Sequence, residues 1–154
     1  MLVWLLVLAA RLSTRVALRA VSACRLDIMV NAGAVDARFG RERRLSSQDE
    51  FKKVFDARQR VGQSGLTFVY RPNELGRPRL GLAIAKKQIR LAHERNRIKR
   101  IAREAFRVRA QFLPSVDLVL MVRTEAEKLD NCRLREDLDK MLDRVAQRLT
   151  TDQN

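Results

Sequence analysis

Ala92-His93-Glu94-Arg95-Asn96-Arg97-Ile98-Lys99-Arg100-Ile101-Ala102-Arg103-Glu104-Ala105-Phe106-Arg107 is the stretch on which the reading of this chain turns. At about 100° per residue, Ile98, Ile101, Ala102, Ala105 and Phe106 share one face of a helix. Asn96, Arg100, Arg103 and Arg107 form a row on the opposite face, flanked by Arg97 and Lys99. A solvated helix face ordinarily mixes both signs, with Glu and Lys one turn apart. Here only Glu94 and Glu104 interrupt the positive charge, and neither lies in the row. Guanidinium forks match phosphate oxygens bidentately. The stretch therefore predicts a helix with one face on a core and the other turned to a nucleic-acid backbone.

Upstream of this helix, Arg79-Leu80-Gly81-Leu82-Ala83-Ile84-Ala85 alternates and then runs apolar, as a strand with one buried face does. It ends in Lys86-Lys87, which adds two cations beside the helix. Residues 71–78 hold Pro72, Gly76 and Pro78 and read as a turn. Before them, Leu66-Thr67-Phe68-Val69-Tyr70 is rich in strand formers, Gln59-Arg60-Val61-Gly62 is a weaker strand, and Gly65 turns the chain between the two. Ser46 or Ser47 suits the N-cap of a short helix over about residues 47–57, with Asp49 and Glu50 in its first turn. Phe51, Val54 and Phe55 recur there at helical spacing; core packing is the ordinary role of such a set. Downstream, the basic helix closes near Gln111 and Pro114 blocks its continuation. Val116–Val122 reads as a buried strand, and Asn131 as the cap of a last helix carrying Leu134, Leu138, Met141, Leu142, Val145 and Leu149. The predicted order is helix, three strands, helix, strand, helix: an α+β sandwich of one sheet with helices packed on it.

The 154 residues carry a net charge of +14, with 46% hydrophobic content. That suffices for a core, but the charge repels itself unless a polyanion (RNA, DNA or an anionic membrane) neutralises it. Cys24 and Cys132 are far apart and outside any ligand spacing, so neither a disulfide nor a zinc site is expected, in keeping with a reducing, cytoplasmic compartment. The single histidine, His93, reads as a polar helix residue. Nucleophile elbows, phosphate-binding glycine loops, metal clusters and paired catalytic carboxylates are missing from the sequence. The residues describe a binder, with the acidic side chains spaced as solvated helix faces.

Residues 1–28 differ from the rest: an apolar run to Ala10, too short to span a bilayer, is followed by Arg11, Arg15, Arg19 and Arg25. A secretory signal places its positive charge before the apolar run, and a transit peptide does not begin so apolar. We favour a start at Met29, which makes residues 1–28 a dispensable start-site extension or leader; the signal and transit readings are the lesser alternatives. Residues 29–44 read as a flexible basic arm, residues 45–150 as the folded domain and residues 151–154 as a tail.

Arg79–Lys87 followed by Glu94-Arg95-Asn96-Arg97-Ile98-Lys99-Arg100 resembles the protein-subunit family of bacterial ribonuclease P. Arg95-Asn96-Arg97 matches that family's RNR motif, and Phe51, Val54 and Phe55 match its Phe-x-x-Val-Phe pattern, in a resemblance running from about Arg44 to Leu149. The resemblance implies a ribosomal-protein-S5-domain-2-like sandwich, αβββαβα, with a left-handed βαβ crossover. It further implies a subunit of an endoribonuclease whose catalytic RNA, with Mg²⁺ held through that RNA, removes the 5′ leader of precursor tRNA; membranes and small-molecule substrates are not expected partners. By position, Arg95, Asn96, Arg97, Lys99, Arg100, Arg103 and Arg107 would face the catalytic RNA, with Lys86 and Lys87 beside them. Phe51 and Phe55 would line a leader cleft between the first helix and the sheet. Register at residues 66–70 is ambiguous by one residue, and a slip of one swaps faces: either Thr67 and Val69 or Phe68 and Tyr70 face that cleft. The alternative is a ribosomal or general RNA-binding protein of the same fold, which needs no aromatic cleft.

Overall fold

The elements follow as α1 (Gln48–Asp56), β1 (Gln59–Gln63), β2 (Leu66–Pro72), β3 (Arg79–Ala83), α2 (Ala92–Arg109), β4 (Val116–Val122) and α3 (Asn131–Thr151), with short 3-10 turns at Arg41–Arg43 and Thr124–Lys128. The computed structural model describes residues 39–151, all within the compact unit Val35–Asn154. The expectations for residues 1–28, 29–38 and 152–154 lie outside the described residues.

The sheet order is β1-β2-β4-β3. Ser64 and Gly65, with φ of 49° and 79°, join β1 to β2 in the two-residue turn whose twist suits an antiparallel hairpin. β4 inserts between β2, to which it is antiparallel, and β3, to which it is parallel. A parallel pair needs a long crossover, and α2 supplies it.

Cross-strand partners share a sheet face, so the register sorts every strand residue. Val61, Phe68, Leu120 and Leu82 lie in one row and Gln59, Tyr70, Leu118 and Leu80 in another. Both rows face Ile98, Ala102, Ala105 and Phe106 of α2 and Leu134, Leu138, Met141, Leu142 and Val145 of α3, forming the main core. The opposite face carries three rows. Arg71, Asp117 and Arg79 make a polar one; Arg60, Val69, Val119 and Gly81 a middle one; Gly62, Thr67, Met121 and Ala83 the third. Val69 and Val119 pack with Val54 of α1 and with Leu45 in a smaller second core. This settles the register: Phe68 and Tyr70 are core residues, and Thr67 and Val69 face α1.

Four local readings change. Residues 39–44 are not a flexible arm. Phe39 meets Phe106 edge-to-face at 5.7 Å, the Arg44 guanidinium lies 5.0 Å above the Phe39 ring, and Arg44 bridges to Leu80 beside β3. A phenylalanine and a leucine flanking a charged run are enough to anchor it. Asp130, not Asn131, caps α3, accepting the Arg133 N–H at 2.7 Å. β3 stops at Ala83, two residues before the apolar run ends. Finally, Asp137 of α3 is fully buried rather than solvated, accepting a bond from Gln63 Nε2 at 2.6 Å.

Candidate nucleic-acid interface

α2 buries Ile98, Ala102, Ala105 and Phe106. Asn96, Arg100 and Arg103 are exposed, and Lys99 is half-buried. None of these four side chains makes a hydrogen bond or ion pair among the described residues, so their donors are open to an external acceptor. The other three expected contacts are engaged within the protein. Arg95 donates through Nη1 to the Ile89 and Arg90 carbonyls at 2.9 and 2.7 Å. Arg97 bonds the Glu94 carboxylate at 2.7 Å, Asn131 Oδ1 at 2.8 Å and the Leu129 and Glu127 carbonyls. Its guanidinium clamps the segment before α3 onto α2 rather than facing outward with the row. Arg107 does lie in the row, but Glu104 one turn earlier binds it bidentately. The Arg107 hydrogen bonds hold the Glu104 carboxyl below its ordinary value, and Glu104 in turn raises that of Arg107. Glu104 thus offsets one charge of the row, which spacing alone did not reveal.

Replacing Arg97 by Ala is expected to cost about 2 kcal/mol of stability, the range for hydrogen bonds to a charged group. Urea unfolding checks this. A stability within about 0.5 kcal/mol of wild type, the range of an ordinary surface change, would return Arg97 to the outward flank of the row.

On the far face of the sheet, α1 crosses from the β3 edge to the β1 edge. Its first turn is tied over β3 by the Glu50–Arg79 ion pair, and its end runs through Arg58 into β1. At about 1.5 Å per residue its length matches roughly three strand spacings of about 4.8 Å. Arg79 also grips Asp117 with two bonds of 2.8 Å, and Asn73 Nδ2 reaches the same carboxylate at 2.6 Å. Asp117 first, then Glu50, drives the Arg79 value upward. Burial opposes ionisation of Glu50, but the Ser47 and Ser46 amides and Arg79 together hold its carboxyl below the ordinary value.

This tie lays α1 over the polar and middle rows and leaves the third row partly open: Gly62 and Met121 are exposed, Met121 at 42%, while Thr67 and Ala83 are half-buried, Ala83 against the second core. On the helical wheel Val54 and Phe51 point to the sheet, Glu50 lies on one flank, and Phe55 lies roughly 140° round from Glu50 on the other flank. Phe55, 37% exposed, therefore lies on the flank turned toward the open row, whereas Phe51 packs against the second core. Since β3 and β4 are parallel, their C-terminal ends lie together. Exposed Lys86 and Lys87 follow one and Arg123 follows the other, and a Thr124 Oγ1 to Gln88 Oε1 bond of 3.1 Å joins the two connections. The basic N-terminal half of α2 springs from the same end. Sequence reasoning offered Thr67 as one alternative for the cleft but did not single out Gly62, Met121 or Ala83 of the open row. Apart from Asp117, Val116–Val122 is apolar on both faces and carries little face signal.

What the arrangement offers is charge and surface for a polyanion, which makes this a nucleic-acid-binding α+β protein. Within that class the chain belongs to the ribonuclease P family, whose model matches residues 39–146. It is 50% identical over 103 residues to the ribonuclease P protein components of Photorhabdus laumondii and Yersinia enterocolitica, covering 67% of this chain and 87% of each of them. A ribonuclease P protein structure from Thermotoga maritima superposes with a TM-score of 0.59 at 27% identity, covering 66% of this chain and 96% of that one. One from Staphylococcus aureus shares the fold with a TM-score of 0.62 at 24% identity, covering 66% and 93%.

Proposed function

We propose that the chain is the protein subunit of ribonuclease P. In this reading it binds the catalytic RNA through Asn96, Lys99, Arg100 and Arg103 and holds the single-stranded 5′ leader of precursor tRNA on the open row beside Phe55. The observation that carries the reading is the separation of two surfaces: free cations on a helix covering one sheet face, and a partly open row flanked by an exposed phenylalanine on the other. A general RNA-binding protein of this fold has no need of the second. Both surfaces reach the strand end that carries Lys86, Lys87 and Arg123, so one RNA assembly can engage them together.

Leader cleavage is assigned to the RNA subunit and its Mg²⁺, in the cytoplasm. Among the described residues no three His, Cys, Asp or Glu side chains gather into a metal-binding cluster, and in this reading the Mg²⁺ is held through the RNA. Likewise, no helix among the described residues is long and apolar enough to cross a membrane. The protein's part is to bind and orient. A base stacked on an aromatic ring contributes about 1–3 kcal/mol, which is enough to favour precursor over mature tRNA.

The test is reconstitution with the catalytic RNA. The holoenzyme carrying Phe55→Ala is expected to lose about tenfold in affinity for precursor tRNA with a leader and little for mature tRNA, with a modest change in melting temperature. Equal losses for the two RNAs would remove the leader from this surface.

A further inference from the structure

Gly81 sits in the interior of β3, buried, between Leu80 and Leu82. Glycine weakens a strand there, because it adds backbone entropy and packs nothing. Its backbone is ordinary extended strand, so left-handed geometry is not the reason for it. The reason is room. A Cβ at this position would stand 2.8 Å from both Cε1 and Cζ of Phe51, and 3.2 Å from Cβ of Leu45. The Phe51 ring lies where a side chain of β3 would otherwise be.

We infer that Gly81 is a positioning residue for leader binding: its missing side chain seats Phe51 on the sheet and so sets the height and roll of α1 at which Phe55 flanks the open row. This rests on the leader reading above. The argument is geometric. Phe51 and Phe55 are one turn apart on a helix of nine residues, and the Glu50–Arg79 pair pins the N-terminal turn of that helix. A ring lifted off β3 must therefore tilt or roll α1 about that pin, which moves Phe55 relative to Thr67, Met121 and Ala83. Filling the seat would thus act on a side chain that Gly81 need not touch.

The test compares Gly81→Ala, Phe51→Leu and the double variant in the reconstituted holoenzyme, reading binding of precursor and mature tRNA alongside thermal melts. Gly81→Ala is expected to lower the preference for precursor over mature tRNA about tenfold, the worth of one stacked base, with the salt dependence of catalytic-RNA binding unchanged. The double variant is expected to match Phe51→Leu alone, because a smaller side chain makes room for the new methyl. Losses that multiply in the double variant, or an unchanged preference in Gly81→Ala, would overturn the inference. Should Gly81→Ala fail to fold, folding of the double variant supports the seat, and its failure overturns it. If the wild type itself shows no preference for precursor tRNA, the leader reading falls. The inference falls with it as a statement about RNA, while coupling in the melts still reports whether Phe51 occupies the seat.

Discussion

Replacing Arg79 by Met is expected to remove about 3–5 kcal/mol of stability, the cost of taking one partner from a buried ion pair. The side chains of Arg79 and Asp117 are only 14% and 10% exposed, so solvent screens them little. The Met stem keeps most of the packing, but Asp117 is left with Asn73 as its remaining side-chain donor. Glu50 is freed at the same time, and with it the hold of α1 on β3. Small domains have total stabilities of about 5–15 kcal/mol, so the variant should unfold at a clearly lower urea concentration. A loss under about 1 kcal/mol would mean the network behaves as an exposed surface pair and does not hold α1 in place. The same network sets an acid limit. Glu50 ionises below its ordinary value of 4.5 in the folded protein, so the unfolded chain takes up its proton first. Its contribution is fully present above that value and is lost as pH falls through the lower folded value. Stability measured from pH 5 downward should fall less steeply in Glu50→Gln than in wild type.

The double variant Arg100→Ala, Arg103→Ala is expected to lower the slope of log affinity for the catalytic RNA against log salt by about 2, one for each phosphate that is no longer neutralised. Both side chains are exposed and unpaired among the described residues, so the melt should stay within about 0.5 kcal/mol of wild type. Arg107→Ala should change the slope less, since Glu104 already binds that guanidinium. A collapsed melt with an unchanged slope would show the arginines to be structural and place the catalytic RNA elsewhere.

How much of this was legible beforehand depended on the range of the interaction concerned. Helical periodicity placed α2 and α3, because a helix face is written every three or four residues. The strand formers of Leu66–Tyr70 and the alternation that opens Arg79–Ala85 marked strands. The apolar set of Ile98, Ala102, Ala105 and Phe106 fell on the buried face as expected. The Arg95-Asn96-Arg97 motif carried the family. These are local patterns, and local physics determines them. Facing is different. The sheet order β1-β2-β4-β3 sets a strand 44 or more positions away beside β2, and only that pairing decided that Thr67 and Val69, not Phe68 and Tyr70, turn toward α1. The fate of individual charges was likewise a tertiary matter. Arg97 found acceptors some thirty residues away in the segment before α3, and Arg79 bridged Glu50 and Asp117, which are distant in sequence from it and from each other. Arg97 and Arg100 look alike in the sequence. What separates an inward clamp from an outward, unpaired guanidinium is which carbonyls and carboxylates the fold brings within hydrogen-bonding distance, and it was likewise the packing of Phe51 against Gly81 that no local pattern could show.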